Sequence, residues 1–218
     1  MQIILLGAPG CGKGTLSKKL STQFGLYHLS TGDMLRQAVA DETDLGKQAK
    51  DFMDAEQLVP DDLILGMIKE LLEKLHGEKG IIYDGFPRTV IQAEHLQTLL
   101  ADMGNPLDIV INLDVTLDEI LTRMAGRISC PQCGRVYHTV NIPPAVEGVC
   151  DDDGETLIAR ADDSEETVRS RFVEYEKNTK PLIDFFDKIG ALVTVDSTKG
   201  VDTTLKGVLS VLSEKGLH

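Results

Sequence analysis

IILLGAPGCGKGT (residues 3–15) joins an apolar run to a glycine-rich turn that contains a lysine. The run over residues 2–6 predicts a buried β-strand, and residues 13–24, with apolar side chains at every fourth position, predict a helix. Strand, glycine-rich turn and helix in this order are typical of a phosphate-binding loop, in which backbone N–H groups, a lysine and a helix N-terminus surround an anion. A tight turn that requires only glycine is the alternative, but four glycines and a lysine within eight residues favour the phosphate site.

The hydroxyl of this loop stands one position later than usual. The common pattern places Ser or Thr directly after the lysine, whereas here Gly14 follows Lys13 and the hydroxyl belongs to Thr15. Thr15 still falls in the first turn of the predicted helix, from which its hydroxyl can face a phosphate or a metal-bound water. Taken alone, the displaced hydroxyl leaves the type of loop open.

Outside the loop, apolar strands alternate with helical stretches, which predicts an α/β protein whose parallel sheet is covered by helices on both faces. Further strands are predicted at 80–86, 107–115 and 191–196, and further helices at 88–103, 116–125, 164–189 and 201–214. Several short helical patterns occupy 31–75, with breaks near 41–44 and at Pro60. The stretch 127–160 is rich in Pro, Gly, Cys and Asp, and it predicts a small inserted module.

The chain is acidic, with a net charge of −13. This charge argues against a nucleic-acid partner bound by a broadly basic surface, and it means that any phosphate must be held by a local cluster of cations. No apolar run approaches the ~20 residues that cross a bilayer, and no signal-peptide pattern precedes the first strand. We therefore expect a cytoplasmic protein without a membrane partner.

Two further stretches, STGDMLR (30–36) and DGFPRT (84–89), resemble the adenylate kinase family, and GAPGCGKGT (7–15) looks like that family's own form of the loop. The resemblance extends through LGKQAKDFMDAEQLVPD (45–61), RADDSEETVRSR (160–171) and VDSTKG (195–200), and so covers essentially the whole chain. It implies the reaction ATP + AMP ⇌ 2 ADP, with Mg²⁺ accompanying ATP, in a monomer.

The resemblance also implies a domain organisation. A core of 1–29, 60–126 and 161–218 would carry a five-stranded parallel P-loop sheet, of which the apolar pattern reveals four strands. A helical AMP-binding arm would span 30–59, and a zinc-bearing lid would span 127–160. Both would swing over the bound nucleotides and expel water, with Gly126 as a candidate hinge.

Phosphoryl transfer depends mainly on positioning and on cancelling charge, for which the planar, permanently charged guanidinium is well suited. The resemblance implies that Arg36 and Arg88 contact the acceptor monophosphate, Arg123 and Arg160 the donor, and Arg127 and Arg171 the transferring group. Arg135 and Arg169 do not occupy the functional positions of the motifs and are expected to be solvated. The residues with catalytic roles would be Lys13, Arg88, Arg127, Arg160 and Arg171. Further nucleotide contacts would come from Gly10, Gly12, Gly14, Thr15, Val59, Gly85 and Lys199.

Thr31 and Gln92 are placed beside the acceptor's adenine by the resemblance. A glutamine amide carries both a donor and an acceptor and can read the amino edge of adenine. The alternative for Gln92 is an exposed helical residue. No side chain stands out as a general base, and a monophosphate acceptor needs none because its attacking oxygen is already anionic.

Two acids are candidates to orient water on Mg²⁺. Asp84 ends an apolar strand, at the carboxyl edge where parallel sheets bind ligands. Asp33 is the second candidate, with helix capping as its alternative role.

The inserted module contains CPQCG (130–134) and CDDDG (150–154), which repeat one spacing with an aspartate in the final position. Cys130, Cys133, Cys150 and Asp153 therefore form a candidate zinc site, here called the zinc knuckle, with His138 as the rival fourth ligand. A disulfide would leave one of these three cysteines unpaired, in a reducing compartment. Four protein ligands leave no open position, so the zinc would be structural. Cys11, inside the loop, is assigned no chemistry.

Ile128 and Ile142 depart from the family pattern, so at these two positions the resemblance implies no donor contact for the lid. Two other functions stay open from sequence: a kinase for UMP, CMP or GMP on the same fold, and a non-enzymatic nucleotide- or zinc-dependent binding module. Thr31 and Gln92 favour AMP over the other monophosphates. The presence of Lys13, Asp84 and Arg88 argues against the binding module.

Overall fold

A computed structural model describes residues 1–55, 57–75 and 80–217. Its strands are β1 (Gln2–Leu6), β2 (Tyr27–Ser30), β3 (Ile81–Asp84), β4 (Ile109–Asp114), β5 (Arg127–Ser129), β6 (Val136–His138) and β7 (Leu192–Asp196). Its α-helices are α1 (Lys13–Phe24), α2 (Thr31–Ala40), α3 (Asp44–Asp54), α4 (Asp61–Leu75), α5 (Val90–Asp102), α6 (Leu117–Ala125), α7 (Glu165–Glu174), α8 (Pro181–Lys188) and α9 (Val201–Glu214).

Five strands form one parallel sheet in the order β2-β3-β1-β4-β7. Side chains alternate across β1, so that Ile4 and Leu6 join a core under α4, α5 and α8. Ile3 and Leu5 join a second core under α1 and α9. The predicted five-stranded parallel sheet, covered on both faces, is thereby confirmed.

The apolar pattern located β1 and α1 with their observed bounds and missed β2. In β2 only Leu29 is buried, and the polar His28 and Ser30 interrupt the run. A short strand at the edge of a sheet needs little apolar surface, so no continuous hydrophobic stretch marks it. Its position matters because the end of β2 lies beside the end of β3, with Ser30 opposite Asp84.

The helix predicted over 164–189 is interrupted. α7 passes into a π-helical segment, Tyr175–Thr179, and α8 starts at Pro181. The backbone N–H of Lys180 donates to the carbonyl of Tyr175, five residues earlier. Proline has no N–H to continue the α-helical pattern, which accounts for a restart at this position.

The inserted stretch forms an antiparallel pair, β5 with β6, and isolated bridges that tie Ser129 to Ile158 and Val149 to Thr156. Its apolar core is small and consists of Cys130, Tyr137, Cys150 and Leu157 with Ile128 packed against them. Ile128, one of the two departures from the family pattern, therefore contributes to this core. So few apolar side chains offer little stability by burial alone.

Candidate active site

The glycine-rich loop connects β1 to α1 at the carboxyl edge of the sheet. Gly12 caps α1 with φ of 103°, a left-handed conformation that favours glycine. Gly10 approaches α6 so closely that a Cβ would lie 2.9 Å from Ile120. Lys13 Nζ donates to the carbonyls of Gly7 (2.6 Å) and Ala8 (2.9 Å), which holds the ammonium within the loop. Thr15 lies in the first turn of α1, as predicted.

Asp84 lies beside this loop. Its Oδ2 is 3.5 Å from the position that a Cβ on Gly14 would occupy, and 3.1 Å from His28 Nε2. His28 carries no sequence signal of its own, because it is a single polar residue in a strand that the apolar pattern does not reveal. A carboxylate at this edge, next to a phosphate loop, is suited to binding the water shell of Mg²⁺.

Asp33 pairs with Arg36 in the first turn of α2. Burial alone would raise the pKa of Asp33, but the hydrogen bond and charge of Arg36 lower it below its usual value. Helix capping, the alternative for Asp33, is performed by Ser30, whose side chain accepts the backbone N–H of Asp33 at 3.3 Å. In this structure the Asp33 carboxylate is thus paired with an arginine that is predicted to bind phosphate.

Arg88 follows β3 and carries its guanidinium over Gly85, donating from Nε to the Gly85 carbonyl at 2.8 Å. Within the described residues Arg88 forms no salt bridge. Removal from water, followed by repulsion from Arg171 and Arg36, lowers the pKa of Arg88 to about 10, although Asp84 acts in the opposite direction. A crowded, desolvated cation with no carboxylate partner is a strong candidate for an anion site.

Thr31 and Gln92 are both buried next to this arginine. Thr31 Oγ1 donates to the carbonyl of Gly85 at 2.9 Å, and Gln92 Oε1 accepts the backbone N–H of Arg88 at 2.7 Å. Gln92 is 2% exposed, so the alternative of an exposed helical residue is wrong. Val59 is also buried. Within the described residues, the structure therefore clusters Thr31, Gly85, Arg88 and Gln92.

Arg123 occupies the other side of the loop. It donates to the carbonyls of Cys11 (3.2 Å) and Ser197 (2.6 Å), and it pairs with Glu119. Ser197 Oγ donates to the same Cys11 carbonyl at 2.8 Å, which ties the segment after β7 to the phosphate loop. Lys199 has an exposed side chain 3.7 Å from Asp196, close in sequence to the Ser197 that contacts the loop.

The remaining three predicted site arginines converge on two adjacent carboxylates. Arg127 pairs with Asp163, while Arg160 (3.0 Å) and Arg171 (2.6 Å) both pair with Asp162. Burial alone would raise the pKa of Asp162, but Arg160 and Arg171 lower it. The sequence pattern gives these two aspartates no role, although their position two and three residues after Arg160 in RADDSEE is the available signal.

The four predicted zinc ligands come together in the inserted module, with their ligand atoms within 4.8 Å of one another. Cys133 Sγ lies 3.6 Å from Cys150 Sγ, and Cys130 Sγ lies 3.2 Å from Asp153 Oδ2. Tetrahedral zinc with bonds of about 2.3 Å to sulfur requires sulfur atoms about 3.8 Å apart, so the set fits the ion. The described residues include all four cysteines of the chain. Each of them is a free thiol, so the alternative disulfide is not formed.

His138, the rival ligand, lies outside this set. Its Nδ1 accepts the backbone N–H groups of Val140 (3.0 Å) and Asn141 (3.1 Å), and its ring packs on Gly126, where a Cβ would be 2.4 Å away. Tyr137 instead supports the knuckle, since its hydroxyl accepts the Asp151 N–H at 2.8 Å and lies 3.5 Å from Cys150 Sγ. Its remaining hydrogen is thus available to the sulfur.

The two arginines expected at the surface are found there. Arg169 is exposed and pairs with Glu165 one helical turn away. Arg135 is partly exposed, pairs with Asp151 and Asp152, and lies over the Tyr137 ring at 4.9 Å. None of the described helices has the length and apolarity that a bilayer crossing requires.

Comparisons with known proteins agree with this geometry. A family model described as adenylate kinase matches residues 5–191. The chain is similar to the adenylate kinase of Thermodesulfovibrio yellowstonii, with 46% identity over 215 residues, 99% of this chain and 100% of that protein. It is 46% identical to the adenylate kinase of Archaeoglobus fulgidus, covering 98% of this chain and 99% of that protein. It is 44% identical to that of Staphylococcus aureus, covering 97% and 99% respectively.

Proposed function

Since this chain belongs to the adenylate kinase family, whose reaction is ATP + AMP ⇌ 2 ADP, we propose that its loop and arginines align the two nucleotides for direct phosphoryl transfer. The reaction maintains the balance among adenine nucleotides. The observation that carries the residue assignments is the convergence of Lys13, Asp84 and Arg88 at one edge of the sheet, with the pairs of Asp162 and Asp163 nearby.

The donor phosphates are assigned to the glycine-rich loop. Gly10, Gly12 and Gly14 leave room for a phosphate against the backbone, and the N-terminus of α1 favours negative charge. Lys13 moves its ammonium from the carbonyls of Gly7 and Ala8 onto a phosphate oxygen, and Thr15 contributes its hydroxyl. Arg123 contacts the donor from the side of the Ser197 segment, where Lys199 is also available.

The acceptor monophosphate is assigned to Arg88 and Arg36. Arg88 offers donors that carry no carboxylate, and a phosphate dianion would relieve its repulsion from Arg36 and Arg171. Thr31, Val59, Gly85 and Gln92 line the adenine of this nucleotide. The attacking oxygen of AMP is already ionised, so the protein supplies no general base.

We assign to Arg127, Arg160 and Arg171 the stabilisation of the negative charge that develops on the transferring phosphoryl group. In the structure Asp162 and Asp163 form ion pairs with these three guanidinium groups. The two carboxylates offset the mutual repulsion of the cations and so allow them to lie close together. Donors preorganised in this way lower the barrier because they need little rearrangement when the charge forms. The two aspartates are positioning residues for the arginines.

Mg²⁺ is the cofactor that accompanies ATP, and when bound it neutralises phosphate charge. Asp84 would hold it through water, because this carboxylate lies next to Gly14. Asp33 is the second candidate and must first release Arg36. The structural Zn²⁺ is assigned to Cys130, Cys133, Cys150 and Asp153, where it stabilises a module with a small apolar core.

The AMP-binding arm is proposed at 30–59 and the lid at 127–160, on a core of 1–29, 60–126 and 161–218. Their closure over both nucleotides would exclude water and so protect ATP from hydrolysis. The protein is proposed to act as a monomer in the cytoplasm, without nucleic-acid or membrane partners.

A comparison of acceptors tests this function. With ATP as donor, we expect AMP to give a kcat/KM at least about a hundredfold above those of UMP, CMP and GMP. A preference for a pyrimidine monophosphate would assign the chain to another specificity on the same fold. Absence of transfer to all four acceptors would favour a binding module instead.

A further inference from the structure

The carboxamide of Gln92 is held from two sides before any nucleotide binds. Its Oε1 accepts the backbone N–H of Arg88 at 2.7 Å, and its Nε2 donates to Asp61 Oδ1 at 2.6 Å. The side chain is 2% exposed, so water offers no ready substitute for either bond.

These two partners cannot exchange places. A backbone N–H only donates, and an ionised carboxylate only accepts. A 180° flip of the Gln92 amide would place its oxygen against the Asp61 carboxylate and its NH₂ group against the Arg88 N–H. Both contacts would be repulsive in a buried site, so the amide has one stable orientation.

Asp61 is itself fixed in place. Thr89 Oγ1 donates to Asp61 Oδ2 at 3.2 Å and accepts the backbone N–H of Gln92 at 3.1 Å. Asp61 begins α4, and Thr89 caps α5. The carboxylate therefore belongs to a network that joins the starts of two helices packed against the same core.

We propose that Asp61 is a specificity-determining positioning residue, which fixes the Gln92 amide so that the acceptor site selects a 6-aminopurine over a 6-oxopurine. This inference rests on the proposed contact between Gln92 and the acceptor base. After its two internal bonds, the amide retains one lone pair on Oε1 and one hydrogen on Nε2. Adenine offers an N6 hydrogen and the N1 lone pair, which complement them.

A 6-oxopurine presents the reverse edge. Its O6 accepts and its N1–H donates, so it would meet the fixed amide with acceptor against acceptor and donor against donor. A freely flipping glutamine would accommodate both bases by rotation. Discrimination by this site therefore depends on whatever prevents the rotation, which here is Asp61 together with the Arg88 N–H.

The test compares AMP with inosine monophosphate, whose purine carries oxygen in place of the 6-amino group, at saturating ATP. Asp61→Asn replaces the obligate acceptor with a group that can itself rotate and donate. We expect the ratio of kcat/KM for AMP to that for inosine monophosphate to fall about tenfold, because buried polar mismatches of this kind carry much of a site's discrimination. The KM for ATP stays unchanged.

Asp62→Asn is the matched control. Asp62 lies in the same first turn of α4 and is exposed, and its carboxylate makes no hydrogen bond in the described residues, so its variant loses the same charge at the same helix end. Its AMP preference stays at the wild-type value. Asp61→Glu, which keeps an obligate acceptor, should retain most of the preference for AMP over inosine monophosphate. Asp61→Ala should also lower the ratio of kcat/KM for AMP to that for inosine monophosphate. This second variant keeps the test decisive if Asp61→Asn folds poorly.

Gln92→Ala distinguishes the positioning role of Asp61 from the proposed contact between Gln92 and the acceptor base. A preference that falls in Gln92→Ala but is unchanged in both Asp61→Asn and Asp61→Ala overturns the role of Asp61 and leaves the proposed contact intact. A preference unaffected by Gln92→Ala removes the contact and the inference together. Equal losses with AMP and inosine monophosphate in Asp61→Asn would assign Asp61 a purely structural role and also overturn the proposal.

Discussion

Lys13 is a cation held by neutral groups. Its ammonium contacts the carbonyls of Gly7 and Ala8 and lies 3.5 Å from Cys11 Sγ, and it has no carboxylate partner in the described part of the chain. Removing it therefore orphans no buried acid. The proposed movement of this ammonium onto a phosphate oxygen gives Lys13 a function at a position where, among the described residues, it has no ion pair.

We predict that Lys13→Ala lowers kcat by about 10²–10³, the range for loss of one preorganised donor, while the fold stays intact. Steady-state rates and the thermal unfolding midpoint measure the two effects. Lys19→Ala is the control, because Lys19 lies on the same helix and pairs with Asp202 at the surface. Near-normal turnover in Lys13→Ala would count decisively against the assigned site.

Thr179 supports Arg88 from the π-helical segment. Its Oγ1 donates to the Arg88 carbonyl at 3.0 Å, so the main chain of Arg88 is held there by Thr179 and at its N–H by Gln92. π-Helical turns occur frequently at functional sites, where they redirect a side chain. Here the turn brings the hydroxyl onto the proposed acceptor arginine.

We predict that Thr179→Val, which keeps the shape and removes the hydroxyl, raises the KM for AMP several-fold, by about 3- to 10-fold for one neutral hydrogen bond. The KM for ATP should be unchanged, and Thr179→Ser should resemble the wild type. The exposed Thr98 bonds only within its own helix, to the Glu94 carbonyl, so Thr98→Val serves as control. Parallel increases in both KM values would indicate a general loss of structure.

Elements with strong apolar periodicity were predictable, and those set by tertiary contacts were not. β1 and α1 were located because their burial follows the local pattern. β2 was not predicted because an edge strand in which only Leu29 is buried has no continuous apolar run. The interruption between α7 and α8 was missed because helical propensity continues across Tyr175–Thr179, and the restart depends on Pro181.

The same distinction applies to the site. Lys13, Arg88 and the cysteines could be identified because they stand in dense, unusual patterns. Asp61, His28 and Thr179 could not, since each acts through a contact with a residue distant in sequence. A resemblance transfers the residues of its motifs, whereas the contacts that hold those residues become visible only in three dimensions.

The knuckle provides a prediction about one element. Asp153→Asn should reduce bound zinc from about one equivalent to well below half, because a neutral amide is a poor ligand for this ion. Asp152→Asn removes a neighbouring charge that pairs with Arg135 and should retain the metal. His138→Gln should retain it as well, since the ring lies outside the ligand set. Elemental analysis of protein purified without added metal measures all three, and zinc loss only in the histidine variant would identify His138 as the fourth ligand.

The molecule as a whole combines a net charge of −13 with a compact group of arginines. Asp162 and Asp163 hold three of those arginines, and Arg127 and Arg160 stand at the two ends of the inserted module. The tip of this module also touches the core, where Lys18 of α1 donates to the Cys133 carbonyl at 3.2 Å. In this structure the main chain of a zinc ligand therefore already contacts the helix that follows the phosphate loop.

Metal removal should consequently affect the lid and the core differently. The two cores on either face of the sheet bury many aliphatic side chains, whereas the apolar core of the module at 127–160 has four buried residues, two of them the zinc-ligand candidates Cys130 and Cys150. After chelation we expect backbone amides in 127–160 to exchange with solvent at least about a hundredfold faster, while those of β1, β3 and β4 keep their protection. Turnover should fall, because a disordered lid cannot hold Arg127 and Arg160 in place, and added zinc should restore both properties. Faster exchange spread evenly over lid and sheet would instead mean that the metal stabilises the entire fold, and the division into a self-sufficient core and a metal-dependent lid would be wrong.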